Sequence, residues 1–293
     1  MPSDLIEPVT TISLNGTLGQ NGWYRSNVQA TISASDDGGS GVAGTEYSLD
    51  GGLTWTSYST PLNFTTEGIT QLHARSWDDA GNVEAPPAAS EVKIDKTPPV
   101  GTAISLSGTF GENNWYISDV QVSILAGSDD GCSGVAGTEY SLDGGLNWTP
   151  YSTPFNITTE GIIQLRARSW DNAGNVEAPP DASEVKIDKT APTATESVSP
   201  ATIKNQRKGT MVNVTYTGAA QDFASGIYST STILIDEYGE LSTDLGSGLS
   251  GVTEVEAWCD RKDRDGRHYT FRLTVCDYAG LQTITESEVI VSK

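Results

Sequence analysis

One stretch of this chain is written twice. Ser40–Leu53 reads SGVAGTEYSLDGGL, and Ser133–Leu146 is identical to it. Ala74–Pro99 returns as Ala167–Pro192 with three substitutions, ARSWDDAGNVEAPPAASEVKIDKTPP against ARSWDNAGNVEAPPDASEVKIDKTAP. A period of about 93 residues is that of one small domain, so each copy is expected to own its core. The expected organisation is a repeat over 1–96, a second over 97–189 and a diverged domain over 190–293, whose Asp222–Gly226 and Cys276–Gly280 echo the Ser-Gly and Trp-Asp segments of the copies.

Within a copy, short runs alternate with turn residues at the spacing of an antiparallel β-sandwich, and no segment has helical periodicity. The predicted strands of the first copy are Thr10–Leu14, Trp23–Tyr24, Val28–Ser33, Thr45–Leu49, Trp55–Tyr58, Leu62–Thr65, Thr70–Trp77 and Glu91–Ile94. Asp50-Gly51-Gly52 supplies a hairpin turn. Along Thr70–Trp77 the alternation sends Leu72, Ala74 and Ser76 inward and His73, Arg75 and Trp77 outward, where Arg75 is expected to cover Trp77. In the last domain strands are expected at Met211–Tyr216, Ile227–Asp236, Val255–Trp258, Tyr269–Cys276 and Glu288–Val291. The fold class is all-β: three tandem immunoglobulin-like, fibronectin-III-like sandwiches. The Lys-Thr-Pro and Lys-Thr-Ala-Pro linkers predict a semi-rigid, elongated rod.

These residues also resemble a family. Asn21-Gly-Trp-Tyr24, Glu46-Tyr-Ser-Leu-Asp-Gly-Gly52, Ala74-Arg-Ser-Trp-Asp-Asp-Ala-Gly-Asn82 and Ile94-Asp-Lys-Thr-Pro-Pro99 resemble the bacterial and archaeal immunoglobulin-like repeats of surface proteins. The resemblance implies an extracellular or cell-surface location. It also implies a non-catalytic spacer or adhesive stalk, with an accessory glycan-binding region of a secreted glycoside hydrolase as the alternative. The implied partners are other domains of the same larger protein and a cell-surface glycan or protein ligand.

Charge and motifs narrow the chemistry. A net charge of −21, with 17 Lys and Arg against 38 Asp and Glu, disfavours nucleic acid and anionic membranes. No run approaches the ~20 apolar residues of a membrane span. The start Met-Pro-Ser-Asp lacks the features of a signal peptide, so export signals and anchors are expected outside these residues. Of two histidines, His73 becomes Arg166 in the other copy and His268 has no evident nucleophile beside it, which speaks against catalysis. The three cysteines predict no disulfide framework. A hairpin of Glu254–Cys259 with His268–Cys276 would put Cys259 near Tyr269, away from Cys276.

The acidic loops point to a cation. In an immunoglobulin topology the loop after the second strand and the loop before the last strand meet the incoming linker at one end. That end should gather Asp95, Asp129, Asp130, Asp171 and Asn175 in the second repeat, and Asp188, Asp222 and Asp277 in the third domain. Such oxygens suit Ca²⁺, while the same aspartates also make turns and caps without any ion. Trp23-Tyr24 and Trp115-Tyr116 are candidate sugar platforms or core aromatics. Asn15, Asn63, Asn147, Asn156 and Asn213 each begin an N-glycosylation sequon.

Overall fold

The structure, a computed structural model, describes residues 4–85, 89–130, 132–239 and 242–293. The Met-Pro-Ser start and the Pro86-Pro87-Ala88 part of the copied segment lie outside the described residues. The chain packs as two compact units, one built from residues up to 104, 124–153 and 166–181, the other from 105–123, 154–165 and 182–293. The division falls inside the second repeat.

The first repeat runs through β1 (Val9–Asn15), β2 (Val28–Ser35), β3 (Val42–Ser48), β4 (Thr56–Ser57), β5 (Leu62–Phe64), β6 (Gly68–Asp78) and β7 (Ser90–Ile94). These make a three-stranded sheet, β1-β2-β5, and a four-stranded sheet, β4-β3-β6-β7. Their antiparallel register brings Ile12 opposite Ile32 and Thr45 opposite Ser76. Val28, Ala30, Leu72, Val92 and Ile94 form the buried core, with Ile12, Leu14, Tyr24, Tyr47, Leu62 and Phe64 packed around it. Each large apolar side chain so buried contributes about 1.5–3 kcal/mol. Ser76 is fully buried, yet its hydroxyl meets Thr10 at 2.7 Å and Thr45 at 2.9 Å, so its polar atom is satisfied.

Two local expectations are corrected here. Arg75 does not cover Trp77; its guanidinium lies 4.0 Å over Trp55 and pairs with Glu46 at 2.6 Å, as Arg168 does with Trp148 and Glu139. Trp77 instead lies against Gly44, where a Cβ would come within 2.3 Å of its ring. Trp23-Tyr24 forms no strand. Tyr24 makes only isolated bridges, antiparallel with Leu18 and parallel with Ile94, and the positive-φ pair Asn21-Gly22 turns the chain sharply just before it.

The second repeat carries β8 (Ala103–Ser107), β9 (Val120–Leu125), β10 (Val135–Ser141), β11 (Thr149–Pro150), β12 (Phe155–Ile157), β13 (Gly161–Asp171) and β14 (Ser183–Ile187). In the first unit β10 pairs with β11 and with Arg166–Asp171 of β13. In the second unit Gly161–Leu165 pairs with β14, and β12 pairs with β9. Val120, Leu165, Val185 and Ile187 are fully buried like their counterparts in the first copy.

The last domain holds β15 (Thr193–Ser199), β16 (Thr202–Lys204), β17 (Met211–Gln221), β18 (Ile227–Asp236), β19 (Ser242–Gly246), β20 (Ser250–Glu256), β21 (Arg267–Asp277) and β22 (Gln282–Ser292). A three-stranded sheet, β15-β17-β20, faces a five-stranded one, β16-β22-β21-β18-β19. Val214, Tyr216, Leu234, Val255, Phe271, Val289 and Val291 are among the core between them. Buried Arg267 bridges Asp236 and Glu256, and its guanidinium also lies near the rings of Tyr238 and Tyr269. Because β20 pairs with β17 while β21 pairs with β18 and β22, the hairpin expected around Asp263–Arg267 does not form. Buried Cys259 takes an amide contact with Asn205, and all three thiols are free.

Candidate functional site

The Lys-Thr linkers are held in place. Tyr24 donates its N–H to the Lys93 carbonyl, and Asp95 returns one to Tyr24. Past that point the Lys96 N–H and the Thr97 hydroxyl donate to Glu67, at 2.6 Å and 3.0 Å, while the Lys96 ammonium reaches Asn27 and the Thr65 carbonyl. Glu160, Lys189 and Thr190 repeat the pattern at the second joint. Proline is therefore one of several restraints on the linker.

Each joint is closed by a backbone clasp. At the first, the Gln20 N–H donates to the Ala173 carbonyl at 2.9 Å, and Asn21 Nδ2 to the Asn172 carbonyl at 3.0 Å. At the second, Glu112 donates to Ala279 at 2.8 Å and Asn113 Nδ2 to Tyr278 at 2.9 Å. The approach is close enough to demand glycine, since a Cβ on Gly19 or Gly111 would sit 2.2 Å from the facing carbonyl oxygen.

Beside each clasp lies a set of carboxylates. One oxygen from each of Asp95, Asp129 and Asp171 falls within 4.8 Å of the others, and Asp188, Asp222 and Asp277 form the matching set. The loops are built alike. Gly134 and Gly226 donate to Asp129 and Asp222, at 2.6 Å and 2.5 Å. Ser133 and Ser225 N–H groups donate to the linker residues Asp95 and Asp188, both at 3.1 Å. Burial, reinforced by the neighbouring carboxylates, pushes the Asp129 and Asp277 carboxyl groups above the ordinary range.

Not every candidate joins these sets. Asp130 is exposed and outside the cluster. Asn175 holds Asp171 instead: its side-chain amide donates to Asp171 Oδ2 at 2.9 Å and to the Asp95 carbonyl at 3.1 Å. Trp23, Trp115 and Tyr116 are buried, and Tyr24 is half-buried, so the paired aromatics pack inward. The five sequon asparagines, Asn15, Asn63, Asn147, Asn156 and Asn213, are all exposed.

A third acidic set, Asp4 with Asp36 and Asp78, was missed by sequence reasoning, although Asp36 and Asp78 are the copies of Asp129 and Asp171. Asp4 lies in an N-terminal stretch that does not copy the linker. Cys132 also sits at the first joint, 3.7 Å from Glu67, with its thiol pushed up to about 11 by burial and the nearby carboxylates. It is therefore a neutral thiol at neutral pH.

No protein-family model matches the chain. Exoglucanase B of Cellulomonas fimi is 33% identical over 60% of this chain, which spans only 17% of that protein's length. Among solved structures, a 1.5-MDa bacterial ice-binding adhesin aligns over 97% of each chain at 13% identity, with a TM-score of 0.35. Fibronectin(III)-like modules of Clostridium thermocellum CbhA align over 65% of this chain and 94% of theirs, at 16% identity and a TM-score of 0.26. These TM-scores are low, and the fold stands on the sheet pairing described above.

Proposed function

We propose that this chain is a non-catalytic extracellular segment, a spacer or adhesive stalk whose modules are fastened to one another. The observation that supports this reading most is the recurrence of one clasp, from a turn of one module to the Ala-Gly turn of the next, at both joints. Of the two histidines, His73 lies half-buried on β6 and His268 contacts Glu288 at 3.4 Å.

Amide hydrogen exchange on the full chain in chelator tests the spacer. The Gln20, Glu112, Lys96 and Lys189 amides should exchange as slowly as strand amides. Exchange at free-peptide rates would mean loose joints and would end the spacer reading.

A second reading, an accessory region of a secreted glycoside hydrolase, is favoured by the identity with Exoglucanase B. A glycan array and pull-down on insoluble β-glucan separate the two. Reproducible binding by the full chain supports the second. The buried faces of Trp23 and Trp115 argue that such binding would use other residues.

A further inference from the structure

The two joints differ in what caps one aspartate of each acidic set. In the first repeat and the second, an asparagine amide caps the aspartate that ends β6 or β13: Asn82 Nδ2 donates to Asp78 Oδ2 at 2.7 Å, and Asn175 Nδ2 to Asp171 Oδ2 at 2.9 Å. In the third domain the corresponding residue is Leu281, whose backbone N–H serves Asp277 Oδ1 but whose side chain has no donor. Asp277 is fully buried, and its Oδ2 has no hydrogen-bond partner.

An ionised oxygen without a donor in a buried setting is costly, and Asp277 belongs to a set with two further carboxylates. Among the described residues no Lys or Arg pairs with Asp188, Asp222 or Asp277. Lys189, next to Asp188 in the chain, turns instead to Asp119 at 2.7 Å and to the Thr158 carbonyl. We propose that Asp188, Asp222 and Asp277 hold a divalent cation with oxygen ligands, of the Ca²⁺ type, at the second joint, where Leu281 lacks the side-chain amide that donates to the matching aspartate oxygen at the first.

Carboxylates are the hard oxygen donors that Ca²⁺ takes, with backbone carbonyls and water completing its six to eight ligands. Asp188 comes from the linker, whereas Asp222 comes from the loop after β17 and Asp277 from the end of β21. A cation there ties linker to domain in addition to the clasp. This inference rests on the spacer reading only for its mechanical consequence; the site itself stands or falls separately.

Isothermal titration of the chelator-treated full chain with CaCl₂ at neutral pH is the test, together with melting curves. One site is expected, with a dissociation constant of about 1 mM or tighter, and a higher melting temperature in calcium. Asp277→Asn, which keeps the shape and removes the charge, should weaken binding about a hundredfold, and Leu281→Asn about tenfold by restoring the amide cap. Asp171→Asn should leave the site intact. Absence of heat and of a melting shift in the unmodified chain overturns the proposal, as does calcium binding that survives Asp277→Asn. Loss of the site in Asp171→Asn would overturn its assignment to the second joint. The hydrogen-exchange test in chelator is independent of all these outcomes, so failure of the cation site and failure of the spacer are told apart.

Discussion

Gly111 faces the carbonyl oxygen of Ala279 so closely that a Cβ on Gly111 would stand 2.2 Å from it, and Gly19 stands in the same relation to Ala173. Both glycines begin the turn whose next residue donates to that same carbonyl. Gly111→Ala must therefore push the Glu112 N–H off Ala279 and draw Asn113 from Tyr278. Loss of two such bonds at a joint is expected to cost about 1–3 kcal/mol of docking. Amide exchange at Glu112 should speed up accordingly, while strands β21 and β22 keep their protection. Unchanged protection at Glu112 in the variant would mean that the clasp does not hold the joint.

The third domain depends on a buried ion pair absent from the copies. Arg267 is only 4% exposed, bonds both oxygens of Asp236 and reaches Glu256 at 2.9 Å. These interactions, led by the Asp236 hydrogen bonds, raise the guanidinium pKa further. Asp236→Ala leaves that buried cation with Glu256 as its one carboxylate partner, a change expected to destabilise by about 3–5 kcal/mol. Calorimetry should show one transition moving to lower temperature, that of the third domain, with the remaining heat absorption in place. A uniform downward shift of all transitions would mean that the modules unfold as one body.

Periodicity and duplication made the strands legible because each obeys a local rule. Thr70–Trp77 alternates, and Leu72 and Ala74 are buried in the sense that its pattern requires. The acidic residues Asp95, Asp129 and Asp171 could be grouped because topology alone brings the two loops to the linker. The clasp could not be read in this way. Its donors are backbone amides of Gln20 and Glu112, which no residue identity announces, and its acceptor residues lie about 150 or more positions away, as the Asn21–Asn172 and Asn113–Tyr278 pairs do. The pairing of β16 with β22 escaped for the same reason, since Thr202–Lys204 is too short to carry a pattern and gains its strand character from Ile290–Ser292. The role of Leu281 needed both kinds of information, the copy that has asparagine and the structure that shows what its amide does.

The copied hairpins predict how acid acts on the chain. Asp50 accepts hydrogen bonds from the Thr54 hydroxyl, the Thr54 N–H and the Ser48 hydroxyl, at 2.5 Å, 2.9 Å and 2.7 Å. Asp143 accepts from the Ser141 hydroxyl at 2.6 Å and from the Asn147 N–H and side-chain amide at 2.9 Å and 2.6 Å. These donors favour the charged carboxylate and hold both groups well below the ordinary aspartate range; for Asp50 the Thr54 hydroxyl is the largest cause, for Asp143 the Ser141 hydroxyl. A carboxyl whose folded pKa is depressed binds fewer protons folded than unfolded. Its contribution is therefore present above the unfolded value, about 4, and is lost as pH falls through the folded value. Both hairpins should hold at pH 5 and loosen only in stronger acid, visible as faster amide exchange at Thr54 and Asn147 relative to strands β6 and β13, after correction for the intrinsic pH dependence. Asp50→Asn should remove this acid response from the first hairpin and leave it in the second, which serves as the internal control. An equal acid response in both hairpins of that variant would place its origin elsewhere than in these carboxylates.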